Sequence, residues 1–103
     1  MLFSLMVLDH EIRGRTENTI DLTIEQIPYL IGIFRTEEFK KKYHIQNETD
    51  LTLGMVWGYL FRGFQDMFTV SYQRQPNQDE ISEAVGLIFK RTDEIKEAIF
   101  KCG

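Results

Sequence analysis

A chain of 103 residues, 43% hydrophobic and 27% charged, has the balance of one soluble globular domain. That length suffices to bury about two-thirds of the surface exposed by the unfolded form. A net charge of −4 and an isoelectric point near 5.1 argue against general binding to nucleic acid or anionic membranes, since both need positive charge. The single cysteine, Cys102, excludes an internal disulfide, and the apolar opening residues 1–8 follow no basic stretch and precede no small-residue cleavage site. These features point to a cytoplasmic protein.

Residues 1–103 read as a single domain, without repeats, low-complexity tracts or a dividing linker. In the first quarter, Leu2, Leu5, Met6 and Ile12 fit one helical face and Gly14 is a natural stop. This predicts a short helical element over residues 1–13. Ile20, Leu22 and Ile24 alternate with Thr19, Asp21 and Thr23 as in a strand, so a β-hairpin looping through residues 14–18 is the alternative. Pro28 suits an early helical position ahead of Tyr29, Leu30, Ile31, Ile33 and Phe34, a stretch that reads as buried. Thr36 can cap a continuation to residue 43, with Glu37/Lys41 and Glu38/Lys42 in the favourable i,i+4 order. One bent helix or two over residues 27–43 is left open by the pattern.

The central run, residues 51–70, is apolar almost all the way round a helix, which marks a core helix or a membrane span. Arg62 and Asp66 leave only about a dozen apolar residues before the first charge, short of the ~20 that a bilayer needs, so no membrane span is expected. Asp50 is a suitable N-cap, and the helix runs to about residue 73. Gly54 and Gly58 share a face and permit close backbone approach, by a helix of the same chain or by a second copy. Trp57 is expected against the last helix, in one seam with Val56, Leu60 and Phe64. Beyond the break at Pro76, Asn77 and Glu80 have the spacing of a capping box. Ile81, Ala84, Val85, Ile88, Ile95, Ala98 and Ile99 then predict a helix that Gly103 can end. The short turn makes the last two helices antiparallel neighbours. The expected fold is all-α, a compact antiparallel bundle of three long helices plus a short N-terminal element; the hairpin alternative would make it α+β.

Residues suited to chemistry are scattered. Asp9, His10 and Glu11 point in different directions on a helix, and no Cys/His or Glu/His spacing supplies a metal set with His44. Lys40, Lys41 and Lys42 with Tyr43 and His44 form a basic cluster already balanced by Glu37 and Glu38; Arg13 and Arg15 form another. A helix-turn-helix drawn through residues 36–60 would read DNA with an element lacking any base from 51 to 61, which argues against nucleic acid as a partner. No nucleotide-binding or hydrolase motif occurs. No catalytic residue, metal or cofactor is assigned, and the chain leans away from being an enzyme.

The eight Phe, four Tyr and one Trp exceed what three helical seams easily hide. The function expected is therefore a non-enzymatic protein-interaction or structural module, with a second copy or another protein as partner. Gly54, Gly58, Phe61, Phe68, Tyr72, Leu87 and Phe89 are the candidate interface of a homodimer. Trp57, Arg62 and Asp66 are candidates for a ligand pocket walled by aromatics. The alternatives are a small-molecule or metal-dependent enzyme using His10, His44 or the Arg62/Asp66 pair, and a nucleic-acid-associated regulator using residues 40–44.

Overall fold

Asp9 starts the first helix, its side chain accepting a hydrogen bond from the Ile12 amide at 2.9 Å and so satisfying one of the free N–H groups of the first turn. The computed structural model describes residues 7–101, and every regular element among them is helical: α1 (His10–Phe34), α2 (Glu37–Tyr43), α3 (Glu48–Tyr72), α4 (Gln78–Phe89) and α5 (Thr92–Lys101). The fold is an all-α antiparallel bundle in which α1 and α3 pack on each other and on both α4 and α5.

The N-terminal expectation is corrected. Gly14 ends nothing, and residues 19–24 lie inside a 25-residue helix, so the hairpin alternative does not hold. The physical reason is the buried stripe Ile12, Thr16, Ile20, Ile27, Ile31 and Phe34, which keeps helical spacing across the whole span. Burying it outweighs the roughly 1 kcal/mol that a helical glycine costs. The threonines that suggested a strand are accommodated by back-bonding: the hydroxyls of Thr19 and Thr23 donate to the carbonyls of Arg15 and Thr19 at 2.9 and 2.7 Å, as that of Thr16 does to Ile12 at 2.8 Å. Of the predicted element over residues 1–13, residues 1–6 lie outside the described residues and 7–9 precede the helix.

The segment 27–43 resolves into two helices, broken at Arg35 and Thr36. Thr36 has extended backbone and caps α2, its hydroxyl accepting from the Phe39 amide at 3.3 Å. The cap of α3 is Asn47, whose side-chain oxygen accepts from the Asp50 amide at 2.9 Å; Asp50 is thus the third helical residue rather than the cap. The capping box forms at Asn77 and Glu80. The last helix is bent, because the chain turns at Lys90 and Arg91 between α4 and α5. The guanidinium of Arg91 fixes that corner to α1, with Asp21 at 2.5 Å and Glu17 at 3.4 Å, and to Glu94 of α5 at 2.8 Å. Glu94, whose hydrogen bond contributes most, and Asp21 hold the Arg91 pKa above the ordinary arginine value despite the opposing effect of burial. Cys102 and Gly103 lie outside the described residues.

Among the described residues the interior falls into two apolar clusters. One joins Ile20, Ile27 and Ile31 of α1 to Leu53, Val56 and Leu60 of α3, with Ile88, Ile95 and Ile99. The other joins Leu8 and Ile12 to Phe64, Phe68, Ala84 and Leu87. The second carries a buried carboxylate. Glu83, its side chain 6% exposed, accepts hydrogen bonds from the Val7 and Leu8 amides at 2.6 and 3.0 Å and from the Arg13 guanidinium at 2.6 Å. A buried carboxylate is tolerable when its oxygens are so occupied. Glu80 and Arg74 make a two-pronged pair at 2.9 Å in the α3–α4 turn, which with the Asn77 amide lowers the Glu80 pKa despite its burial.

Candidate interaction surface

Between α1 and α3 a groove of about 560 Å³ opens to solvent. Thr23, Gln26, Ile27, Tyr29, Leu30 and Ile33 line it from α1, and Met55, Val56 and Tyr59 from α3; no charged side chain takes part. Its rim is apolar and wet: Tyr29 is 80% exposed, Tyr59 62%, Ile33 54% and Met55 47%. The cause lies in the winding of α1. Residues 20, 27, 31 and 34 turn toward the core, while Leu22, Tyr29 and Ile33 form a second apolar stripe that none of the described helices covers. On α3 the same occurs beside the core stripe Leu53, Val56, Leu60 and Phe64, since Met55 and Tyr59 stand one turn apart on the outer side.

Gly54 and Gly58 also face solvent, and an added Cβ at either would meet nothing within 4 Å. This overturns the expectation that they bring a helix of the same chain close. The apolar residues of α3 that pack within the chain lie on its other faces. Arg62 and Asp66 continue the exposed side as an i,i+4 ion pair, Nε to Oδ1 3.1 Å, with side chains 76% and 63% exposed.

The other predicted interface residues separate. Phe68 and Leu87 are core residues of the second cluster, 1% and 8% exposed, so they are not available at a surface. The period of α4 turns Leu87 inward with Ala84 and Ile88, and Phe68 follows Phe64 by one turn on the core side of α3. Phe61 is half-buried against the first cluster. Tyr72 is 39% exposed, its ring centroid 4.6 Å from that of Phe68. Phe89 is half exposed and stacks on Trp57, centroids 4.6 Å apart at 26°. Trp57 therefore does pack against the last helix, half-buried, with its Nε1 enclosed and without a hydrogen-bond partner.

The aromatic-walled pocket is not assembled. Phe64 is buried, Tyr59 faces the groove, and Arg62 with Asp66 borders a separate shallow depression with Gln65, Thr69, Val70 and Gln75. His10 is exposed in the first turn of α1, and His44, also exposed, ends α2 in left-handed conformation at φ 56°. Asp9 is occupied as a cap. Among the described residues no group of three His, Cys, Asp or Glu is arranged to hold a metal ion. In the basic clusters, Lys40 pairs with Glu37 at 3.2 Å, Arg15 with Glu11 at 2.7 Å and Arg13 with Glu83. Among the described residues no helix is long and apolar enough to cross a membrane.

Sequence reasoning missed Tyr29, Ile33 and Met55 as surface residues. The signal was present as two interleaved stripes on α1, but a continuous apolar stretch reads as buried until the helix phase is known. Comparison of the chain with protein-family models, with curated proteins and with solved structures gives no match.

Proposed function

We propose that this chain is a non-enzymatic protein-interaction module that self-associates as a homodimer through the α1–α3 face, acting in the cytoplasm. One observation carries the reading: an open, uncharged groove rimmed by Tyr29, Ile33, Met55 and Tyr59. Exposed apolar surface gathered in this way marks an association site, because covering it removes large apolar area from water. A small-molecule site would enclose most of its ligand and converge several polar groups on it. Here the non-aromatic polar side chains are Thr23 and Gln26 alone. A flat or helical protein surface is the better complement, and a homodimer needs no further component. The single cysteine agrees with a reducing compartment.

Light scattering across a wide concentration range tests this. The expected particle has twice the 12.2 kDa chain mass. Tyr29→Glu with Ile33→Glu should return it to the monomer without altering the helical circular dichroism, since both side chains are largely exposed. A monomer at every concentration, or a dimer indifferent to both changes, would overturn the reading.

A further inference from the structure

The outer face of α3 is self-complementary when read in opposite directions. Asp50, Gly54, Gly58 and Arg62 follow one another at four-residue intervals and all four are exposed. Such i±4n positions form a ridge of the kind by which helices interlock. The ridge has an acid at one end, a base at the other and two residues without side chains between them. The geometry points to an antiparallel α3–α3 pair as the seam of the homodimer, with a second copy of this chain as the occupant; this rests on the α1–α3 face being the self-association surface.

Set antiparallel about the level of residue 56, Gly54 lies against the partner's Gly58, and Asp50 against the partner's Arg62. Each pairing occurs twice under the two-fold axis. A parallel arrangement would put Asp50 on Asp50 of the partner subunit and Arg62 on Arg62 of the partner subunit. Like charges facing each other disfavour that arrangement and select the antiparallel one. The open glycines then have a use, since among the described residues nothing lies within 4 Å of a Cβ built on either. Without side chains they let two helix backbones come near enough for dense packing. A two-fold axis perpendicular to both helices keeps Met55 and Tyr59 of both copies on the same side of the seam. The two grooves consequently join into one apolar layer, bordered by Tyr29 and Ile33. Arg62 keeps Asp66 as its neighbour and gains a second carboxylate, which a guanidinium with five N–H donors can serve.

Cysteine pairing tests the register. On a Cys102→Ser background, Asp50→Cys and Arg62→Cys are prepared singly and together. In the antiparallel seam the two copies of residue 50 lie twelve residues apart along the helix direction, roughly 18 Å, and so do the two copies of residue 62. Disulfides need Cα atoms within about 7 Å. Mild oxidation should leave each single variant unlinked, link an equilibrated mixture of the two, and link the double variant to itself between chains. Charge exchange supplies the second arm. Asp50→Arg and Arg62→Asp should each weaken association about tenfold, and the double exchange should restore it. Circular dichroism on each variant establishes that the fold is kept. Linking of the single variants, or no linking of the mixture while light scattering still gives a dimer sensitive to Tyr29→Glu, overturns this seam and leaves the groove reading standing. A chain that is monomeric throughout overturns both.

Discussion

Glu83 is the residue whose environment is most unlike that of a surface carboxylate. It serves two backbone amides and a guanidinium from a nearly closed position, and so holds the chain before α1 to α4. Removing it leaves those donors facing an apolar cluster, which costs more than the pair contributes when intact. Glu83→Ala should destabilise the fold by about 3 kcal/mol, the low end for a broken buried pair because Arg13 is 29% exposed and can reach water. Glu83→Gln keeps an oxygen for the two amides but turns an NH2, which cannot accept, toward the Arg13 guanidinium, so it loses the ion pair alone and its effect should be smaller. Urea denaturation of the two variants measures both. Equal losses would mean that the amide contacts contribute nothing. Glu83 was not legible as an anchor, because its partners lie some seventy positions away and nothing local marks it. The capping roles of Asn77 and Thr36 were legible, since cap and target are three residues apart.

At the scale of elements, the contact of Trp57 with Phe89 ties α3 to the end of α4, just before the bend. Trp57 is the only tryptophan, so the native emission reports its surroundings, of which the Phe89 ring is one face. Phe89→Ala should shift that emission to the red by admitting water to the indole face. Trp57→Ala should cost about 3 kcal/mol, at the lower end for large aromatics because the ring is half-buried. An emission maximum unmoved by Phe89→Ala would refute the stack. Central and last helices were readable from periodicity and breakers, whereas the length of α1 was not. Gly14, Pro28 and the alternating residues 19–24 are each local evidence against a long helix. They are outweighed by a stripe of buried side chains whose value depends on α3, α4 and α5 being in place. The same limit explains the site. Helix phase decides whether Tyr29 and Ile33 are core or rim, and phase is set by tertiary contacts rather than by the apolar run itself.

For the whole molecule, the division of the interior is the feature with the widest reach. The cluster around Phe64 and Phe68 and the cluster around Ile95 and Ile99 both include residues of α1 and α3, and both draw on α4. Substituting Phe64 by Ala should cost about 3–5 kcal/mol, as for other buried aromatics. The loss should fall first on amides of the second cluster. Hydrogen exchange at residues 12 and 84 should quicken before exchange at 95 and 99, and uniform quickening would contradict this. Two apolar clusters in one bundle also make cooperativity divisible: local opening can confine itself to the end that a mutation weakens. The α1–α3 groove borders the first cluster through Ile27 and Val56, away from Glu83 and Phe64. The chain can accordingly absorb damage, or sequence drift, around its buried carboxylate while the exposed apolar rim between α1 and α3 keeps its shape.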